Sequence, residues 1–171
     1  MGVLERPRID ALIDKIADEL EGEWLLIGGA LVALWLNPRR ITEDIDIIGL
    51  DDGSSQRWQL LALAEAEHLP IETLNSAADF FVRRIASWRE DIEVFRDGRR
   101  GRIHRPTPTL FVRLKMARLS EQDLDDCLGL IGRLGRDAVD ETVIRAAMAS
   151  LPPASEPVAA RREKLLDALR G

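Results

Sequence analysis

The chain lacks tyrosine and has one cysteine, two histidines and no long apolar run. A single thiol, Cys127, cannot form an internal disulfide, which excludes a disulfide-stabilised secreted scaffold and fits a reducing cytoplasm. The most apolar stretch, Trp24 to Leu36, contains two glycines and is too short to span a bilayer. The N-terminal residues show no signal-peptide pattern. We therefore expect a cytoplasmic protein with no membrane partner.

Several familiar catalytic patterns are also missing. The sequence has no phosphate-binding Gly-x-x-x-x-Gly-Lys-Ser loop, no His-Glu-x-x-His and no visible Ser-His-Asp arrangement. His68 and His104 are too isolated in the sequence to suggest a metal site. Any chemistry must therefore be sought among the carboxylates and the basic residues.

The hydrophobic pattern predicts an α+β protein of 171 residues, with an α/β core over 1–108 and a helical region over 109–171 packed on it. In the core we expect helices over 9–21, 30–36, 57–68 and 79–88, and strands over 24–27, 41–50, 91–95 and 102–104. Residues 70–74 fit either a short strand or the entry to a helix. In the second region, the helical patterns cover 110–119, 122–134, 141–151 and 158–169.

Two aspartates on one predicted strand are the most informative feature of the chain. Asp44 and Asp46 flank Ile45, and side chains two apart on a strand share a face at roughly 6–7 Å. Paired carboxylates in an apolar strand are costly unless a cation neutralises them. Mg²⁺ suits two carboxylates beside a phosphate substrate. The alternative to a metal site is an edge strand on which both aspartates face water.

A Gly-Gly turn precedes this pair. Gly28 and Gly29 lie where a buried strand turns into a helix, and fourteen residues separate Gly29 from Asp44. Glycine lets phosphate approach the backbone closely, and the free N–H groups of a helix start attract anions. A tight turn chosen only for packing is the competing interpretation.

The turn, the spacing and the aspartate pair together resemble the nucleotidyltransferase superfamily. The likeness is closest to toxin-like members of the abortive-infection type, in which Gly-Gly is followed by Arg-x-[Ser/Thr]-x-Asp-x-Asp. Arg40 and Thr42 occupy the corresponding positions here. The resemblance implies a small mixed sheet closed over by helices. It implies nucleotide binding by Gly28, Gly29, Arg40 and Thr42, and Mg²⁺ or Mn²⁺ binding by Asp44 and Asp46.

Many members of the superfamily carry a third carboxylate on a later strand, which helps to deprotonate the acceptor. Two residues compete for that position here. Glu72 follows the helix after the aspartate pair, and Glu93 lies on the clearer predicted strand. An ordinary glutamate facing solvent is the alternative for each.

A second element of the toxin-like members is a Lys-x-x-Arg helix followed by Asp-x-x-Asp on the next helix. Lys115 and Arg118 match the first part, and Asp123 and Asp126 match the second. The resemblance implies that Lys115 and Asp126 act in catalysis and that Arg118 binds the nucleotide. Ordinary salt bridging between the helices is the alternative.

Charge is distributed unevenly along the chain, whose net charge is −6. The segment from Arg83 to Arg118 holds eleven basic and four acidic residues. This segment is either a phosphate-binding surface or a salt-bridged, solvated face.

The resemblance implies Mg²⁺-dependent transfer of a nucleoside monophosphate from an NTP to a hydroxyl of RNA, protein or a small molecule. It further implies the toxin of a toxin–antitoxin pair, with an antitoxin as partner. The alternative is a catalytically degenerate module that binds a nucleotide, RNA or a partner protein.

Overall fold

The protein has an α+β fold, as the sequence predicts. The computed structural model describes residues 2–51 and 54–170. The chain divides into two units, Met1–Pro106 and Thr107–Gly171, so the boundary lies two residues before the predicted one. The proposed packing of the helical region on the core stays a prediction.

The first unit is built on a five-stranded mixed sheet in the order β3-β2-β1-β5-β4. The central strand β1 pairs antiparallel with β2 and parallel with β5. At the edges, β3 pairs parallel with β2, and β4 pairs antiparallel with β5. Its elements are α1 (Arg6–Glu19), β1 (Gly22–Ile27), α2 (Gly28–Trp35), β2 (Ile45–Gly49), α3 (Ser54–Ala66), β3 (Leu74–Asn75), α4 (Asp79–Val82), β4 (Ile92–Asp97) and β5 (Gly101–Pro106).

The core of this unit lies around β1. Trp24, Leu25 and Leu26 are fully buried, as expected of a central strand whose two faces are both covered. On α1, buried positions recur at helical spacing and turn the apolar stripe of that helix inward. The buried residues of α1 are Ile9, Leu12, Ile13, Ile16 and Ala17.

The strand register shows which face of the sheet carries Asp46. Asp46 is paired with Ile27, and His104 is paired with Leu25, so the two side chains share a face. Arg105 therefore points to the other face, where its guanidinium stacks on Trp35 of α2 at 4.0 Å. Asp46 thus lies on the face opposite to the one against which Trp35 packs.

The helix predicted over 79–88 is wrong beyond its first turn. Only Asp79–Val82 is α-helical, and Ser87 has a left-handed backbone with φ of 58°. The reason is tertiary: the guanidinium groups of Arg83 and Arg89 donate to the backbone oxygens of Gly49 and Leu50, at 3.4 and 2.8 Å. These contacts with the end of β2 hold the segment in turns and a short 3₁₀ helix, Trp88–Glu90.

The second unit is helical throughout, as its hydrophobic pattern predicts. It contains α5 (Pro108–Met116), α6 (Glu121–Leu134), α7 (Glu141–Ala149) and α8 (Glu156–Arg170). Side chains cap three of these helices: Thr107 caps α5, Ser120 caps α6 and Asp140 caps α7. Cys127 of α6 is buried, and burial raises the pKa of its thiol to about 12. Within the described ranges, no helix is both long and apolar enough to cross a membrane.

Candidate functional site

The Gly-Gly turn lies directly against Asp46. Strand β1 ends at Ile27, which is the register partner of Asp46. Gly28 follows with φ of +70°, a backbone conformation that favours glycine. A Cβ atom at Gly28 would lie 2.1 Å from Oδ2 of Asp46, closer than any real contact. Both the backbone angle and the missing side chain are therefore required for Asp46 to reach the turn.

Gly29 makes a similar close approach to the segment before β2. A Cβ atom at Gly29 would lie 2.7 Å from Oγ1 of Thr42 and 3.7 Å from Nη2 of Arg40. Thr42 Oγ1 in turn donates to Oδ1 of Asp44 at 3.3 Å. The structure therefore brings Arg40, Thr42 and Asp44 to the start of α2.

The sequence placed Asp44 and Asp46 on one strand, and this is wrong for Asp44. Strand β2 begins at Ile45, and Asp44 lies in the loop before it. The strand stops there because β1 has already turned into α2 at Gly28, so Asp44 has no strand partner. Upstream, Thr42 pairs instead with Leu4 in an isolated antiparallel bridge. Asp44 and Asp46 nevertheless meet the same Gly-Gly turn, one through Thr42 and the other directly.

Neither predicted third carboxylate faces Asp46. Glu93 lies on β4, three strands away from β2, and its register partner Arg105 points to the face opposite Asp46. The Glu93 carboxylate is paired with the guanidinium of Arg105 at 2.6 Å. Glu72 is exposed and lies in a 3₁₀ turn, Ile71–Thr73, before β3. The positions of Glu72 and Glu93 therefore do not support either residue as the third carboxylate of the site.

The residue that does face Asp46 is Asn75, which no motif in the sequence indicated. Asn75 is paired with Asp46 in the β2–β3 register, and its Nδ2 lies 3.4 Å from Oδ1 of Asp46. The sequence signal was slight, because β3 is only two residues long and the pattern over 70–74 ended just before it. Only the strand pairing identifies the amide as part of the site.

The donor set around the turn suits a small, hard cation. Asp44 and Asp46 supply carboxylate oxygens, and both side chains are half-buried. Mg²⁺ commonly takes one or two protein carboxylates and completes its shell with water and substrate phosphate oxygens. Among residues 2–51 and 54–170, no group of three or more His, Cys, Asp or Glu side chains is arranged to hold a metal. The residues therefore fit an ion that binds together with a substrate better than a permanently enclosed ion.

A cavity of about 520 Å³ adjoins this cluster through Asn75, at the edge of β2 that β3 leaves uncovered. Its polar lining includes Ser76 and the guanidinium groups of Arg57 and Arg83. Its apolar lining includes Leu60. A polar and apolar lining of this kind is typical of small-molecule sites, and Asn75 is the residue that this cavity shares with the cluster.

In the second unit, Lys115 is held by two carboxylates. Its Nζ lies 3.1 Å from Oδ1 of Asp123 and 2.9 Å from Oδ2 of Asp126. All three side chains are largely buried, with 12% of Lys115 and 8% of Asp126 exposed. Asp123 also accepts two hydrogen bonds from the guanidinium of Arg118, whose side chain is 80% exposed. The four residues thus form one network that joins α5 to α6.

Asp123 has a second role as part of a helix cap. Its backbone N–H donates to the Ser120 hydroxyl, and its carboxylate accepts from the Ser120 backbone N–H, which is the reciprocal capping box. Burial raises the pKa of Asp123, but the hydrogen bonds from Arg118 and the charge of Lys115 outweigh it. The pKa of Asp123 is therefore held well below its usual range.

Replacing Lys115 with Met is expected to destabilise the helical unit. The change leaves two buried carboxylates without their shared cation, and breaking a buried pair in this way costs roughly 3–5 kcal/mol. Chemical unfolding followed by circular dichroism measures the loss. Lys164, an exposed lysine of α8 with no ion pair among the described residues, provides the matched control, and Lys164→Met should leave stability unchanged.

The same network predicts an acid-sensitive helical unit. A carboxyl group whose pKa is lowered by folding stabilises the protein above its unfolded pKa, about 3.9, and that contribution is lost as the pH falls through the folded pKa. Wild type should therefore lose helical stability below about pH 4, and Lys115→Met should lose less over the same range. Equal losses for both proteins would contradict the assigned charge coupling.

The arginine-rich segment is largely a salt-bridged face. Arg96 is paired with Asp10 and Asp14 of α1, and Arg99 is paired with Asp18 of the same helix. The remaining hairpin arginines are paired too: Arg100 with Glu21, Arg102 with Asp97 and Glu23, and Arg105 with Glu93. Because acidic residues neutralise these arginines, the positions of the hairpin charges favour the solvated-face interpretation over a phosphate-binding surface.

Comparison of the chain with protein-family models, with curated proteins and with solved structures gives no match.

Proposed function

We propose that the chain is a Mg²⁺-dependent nucleotidyltransferase that moves a nucleoside monophosphate from an NTP to a hydroxyl group. The observation that carries this proposal is the meeting of two carboxylates and two glycines at one helix start. Asp46 contacts the turn at Gly28, and Asp44 is linked to Gly29 through Thr42. This arrangement suits a metal–triphosphate complex. The carboxylates attract the metal ion, and the exposed backbone N–H groups of the two glycines attract the phosphates.

In this proposal, the backbone N–H groups at Gly28 and Gly29 bind phosphate oxygens, with Arg40 and Thr42 beside them. Asp44 and Asp46 hold Mg²⁺ or Mn²⁺, which when bound withdraws charge from the phosphates. The acceptor hydroxyl oxygen forms a bond to the α-phosphorus, the bond from that phosphorus to the bridging oxygen breaks, and pyrophosphate leaves with its electron pair. The hydroxyl proton is released to water, since no described side chain beside Asp46 is assigned as its acceptor.

The resemblance assigns Lys115 and Asp126 to catalysis and Arg118 to nucleotide binding, and these roles remain predictions. The ion pairs that Lys115 makes with Asp126 and that Arg118 makes with Asp123 lie within the helical unit. The acceptor is RNA, a protein hydroxyl or a small molecule, and the biological proposal is a cytoplasmic toxin controlled by an antitoxin. That last step rests on analogy with the toxin-like members alone.

A second candidate is a degenerate module that binds nucleotide, RNA or a partner without transferring anything. One observation favours it: the side chain facing Asp46 from the neighbouring strand is the amide of Asn75 and not a carboxylate. An amide cannot accept the proton of an incoming hydroxyl, so transfer would lack a side-chain base at this position. A degenerate module that binds nucleotide therefore differs from the proposed enzyme in turnover alone.

Incubation with each of the four labelled NTPs, Mg²⁺ and either total RNA or cell lysate separates them. The proposed enzyme gives a labelled RNA, protein or small molecule, and Asp44→Asn with Asp46→Asn abolishes the label. Metal-dependent nucleotide binding without any labelled product supports the degenerate module. Absence of both nucleotide binding and label contradicts the enzyme and the nucleotide-binding form of the module.

A further inference from the structure

We infer that Asn75 is a positioning residue, which fixes one oxygen of Asp46 and presents the other to the Gly-Gly turn. The orientation of Asp46 is independent of the proposed function, whereas the joint binding of cation and nucleotide rests on it. Asn75 ends β3 directly opposite Asp46, so the two side chains lie on the same face of the sheet.

The Asn75 amide has a fixed orientation. Oδ1 of Asn75 accepts the backbone N–H of Ala77 at 2.9 Å, which is an Asx turn formed as the chain leaves β3. Because the oxygen is committed to Ala77, the amide nitrogen must point the other way. It points to Oδ1 of Asp46 at 3.4 Å. A donor is therefore held toward the carboxylate by the backbone of its own turn.

The two oxygens of Asp46 face different groups. Oδ1 faces the Asn75 amide, whereas Oδ2 lies at the turn, 2.1 Å from where a Cβ of Gly28 would stand. The carboxylate is thus oriented with Oδ1 toward the Asn75 amide and Oδ2 toward the helix start. Fixing a ligand through a neighbouring donor is the usual way in which proteins orient metal-binding carboxylates.

The Asn75 amide adds no charge to the turn. The acidic groups assigned to the turn are therefore Asp44 and Asp46, with the guanidinium of Arg40 beside them. Two half-buried carboxylates bind a divalent cation weakly by themselves, and phosphate oxygens supply the missing ligands. Asn75 therefore makes the cation and the nucleotide bind together. The cation alone should bind wild type poorly.

Four proteins test the inference without any assay of activity: wild type, Asn75→Asp, Asp46→Asn and the exchange variant carrying both changes. Unfolding is followed by tryptophan fluorescence, since all four tryptophans lie in the first unit. Each protein is measured in EDTA and in 1 mM Mn²⁺, with no nucleotide present. Asn37→Asp is the matched control, because Asn37 forms a similar Asx turn with the N–H of Arg39 at an exposed site.

In EDTA, Asn75→Asp should lower the folding equilibrium constant at least tenfold, because it places two negatively charged carboxylates opposite each other on paired strands. Mn²⁺ should reverse that loss while leaving wild type and Asn37→Asp unchanged. The exchange variant restores one carboxylate and one amide, so it should fold within about threefold of wild type in EDTA, the signature of direct coupling.

Asn75→Asp with wild-type stability in EDTA overturns the inference, as does an exchange variant no more stable than the single changes predict. If Asn75→Asp is unfolded in both buffers, the exchange variant decides the question in the same way. Failure of the proposed function looks different: the coupling and the Mn²⁺ effect are present, yet no NTP stabilises wild type and no label is transferred.

Discussion

Replacing Asp44 and Asp46 together with Asn is expected to abolish the thermal stabilisation that an NTP and Mg²⁺ jointly give the wild-type chain. The two carboxylates are the only acidic groups assigned to the Gly-Gly turn, and a metal–triphosphate complex binds there through them in the proposed function. Asparagine keeps the shape of each side chain and removes its charge, so cation binding is lost while the fold is kept.

The expected size of this effect follows from mass action. A ligand at a hundred times its dissociation constant stabilises the folded state by about 2.7 kcal/mol, which corresponds to a shift of roughly 5–10 °C in melting temperature for a protein of this size. The measurement is a thermal melt with a non-hydrolysable NTP, with and without Mg²⁺, followed by tryptophan fluorescence. The variant should melt at the same temperature in all conditions.

A control of equal charge is available on α1. Asp14→Asn with Asp18→Asn also removes two carboxylates from the first unit, but these lie on a helix and are paired with Arg96 and Arg99. This control should retain the full response to nucleotide and metal. If the Asp44 and Asp46 double variant is stabilised as much as wild type, the metal assignment is wrong.

Replacing Gly28 with Ala is expected to lower the free energy of unfolding of the first unit by roughly 2–4 kcal/mol. Two costs add: an alanine is strained at φ of +70°, and its Cβ would lie 2.1 Å from Oδ2 of Asp46. Since the collision is with Asp46 itself, the variant should also lose metal-dependent nucleotide binding at temperatures where it remains folded.

The same substitution at Gly132 provides the control. Gly132 lies within α6, and a Cβ atom there would meet nothing within 4 Å. Gly132→Ala should therefore raise helical stability by about 0.5–1 kcal/mol. Denaturant unfolding should be followed by tryptophan fluorescence for Gly28→Ala and by circular dichroism for Gly132→Ala. If Gly28→Ala is as stable as wild type, the close approach of Asp46 to Gly28, on which the site depends, is contradicted.

Local features of the sequence predicted much of the fold. The apolar periods of α1, α5 and α6 and the short apolar run of β1 depend on neighbouring residues alone, and each element appears near its expected position. Gly28 and Gly29 were also identifiable, because a strand that turns directly into a helix requires residues without side chains. The resemblance implies that this turn lies near Asp46, and the two are close in the structure.

Other features depended on contacts between distant segments. The helix expected over 79–88 stops at Val82 because Arg83 and Arg89 bind backbone oxygens at the end of β2. Asp44 falls outside β2 because β1 ends at Ile27, a limit set by the partner strand. Helical or strand preference of the local residues could not reveal either boundary.

The sequence by itself determined the α+β class, the order of the elements, and the two glycines and two aspartates that define the candidate site. Only the tertiary structure decided the partners of those residues. Asn75 faces Asp46 because β3 pairs with β2, and Arg96 and Arg99 are neutralised because α1 presents a row of acids to them. Periodicity records which face of an element is apolar, whereas strand register and the pairing of charges arise when segments far apart in the chain meet.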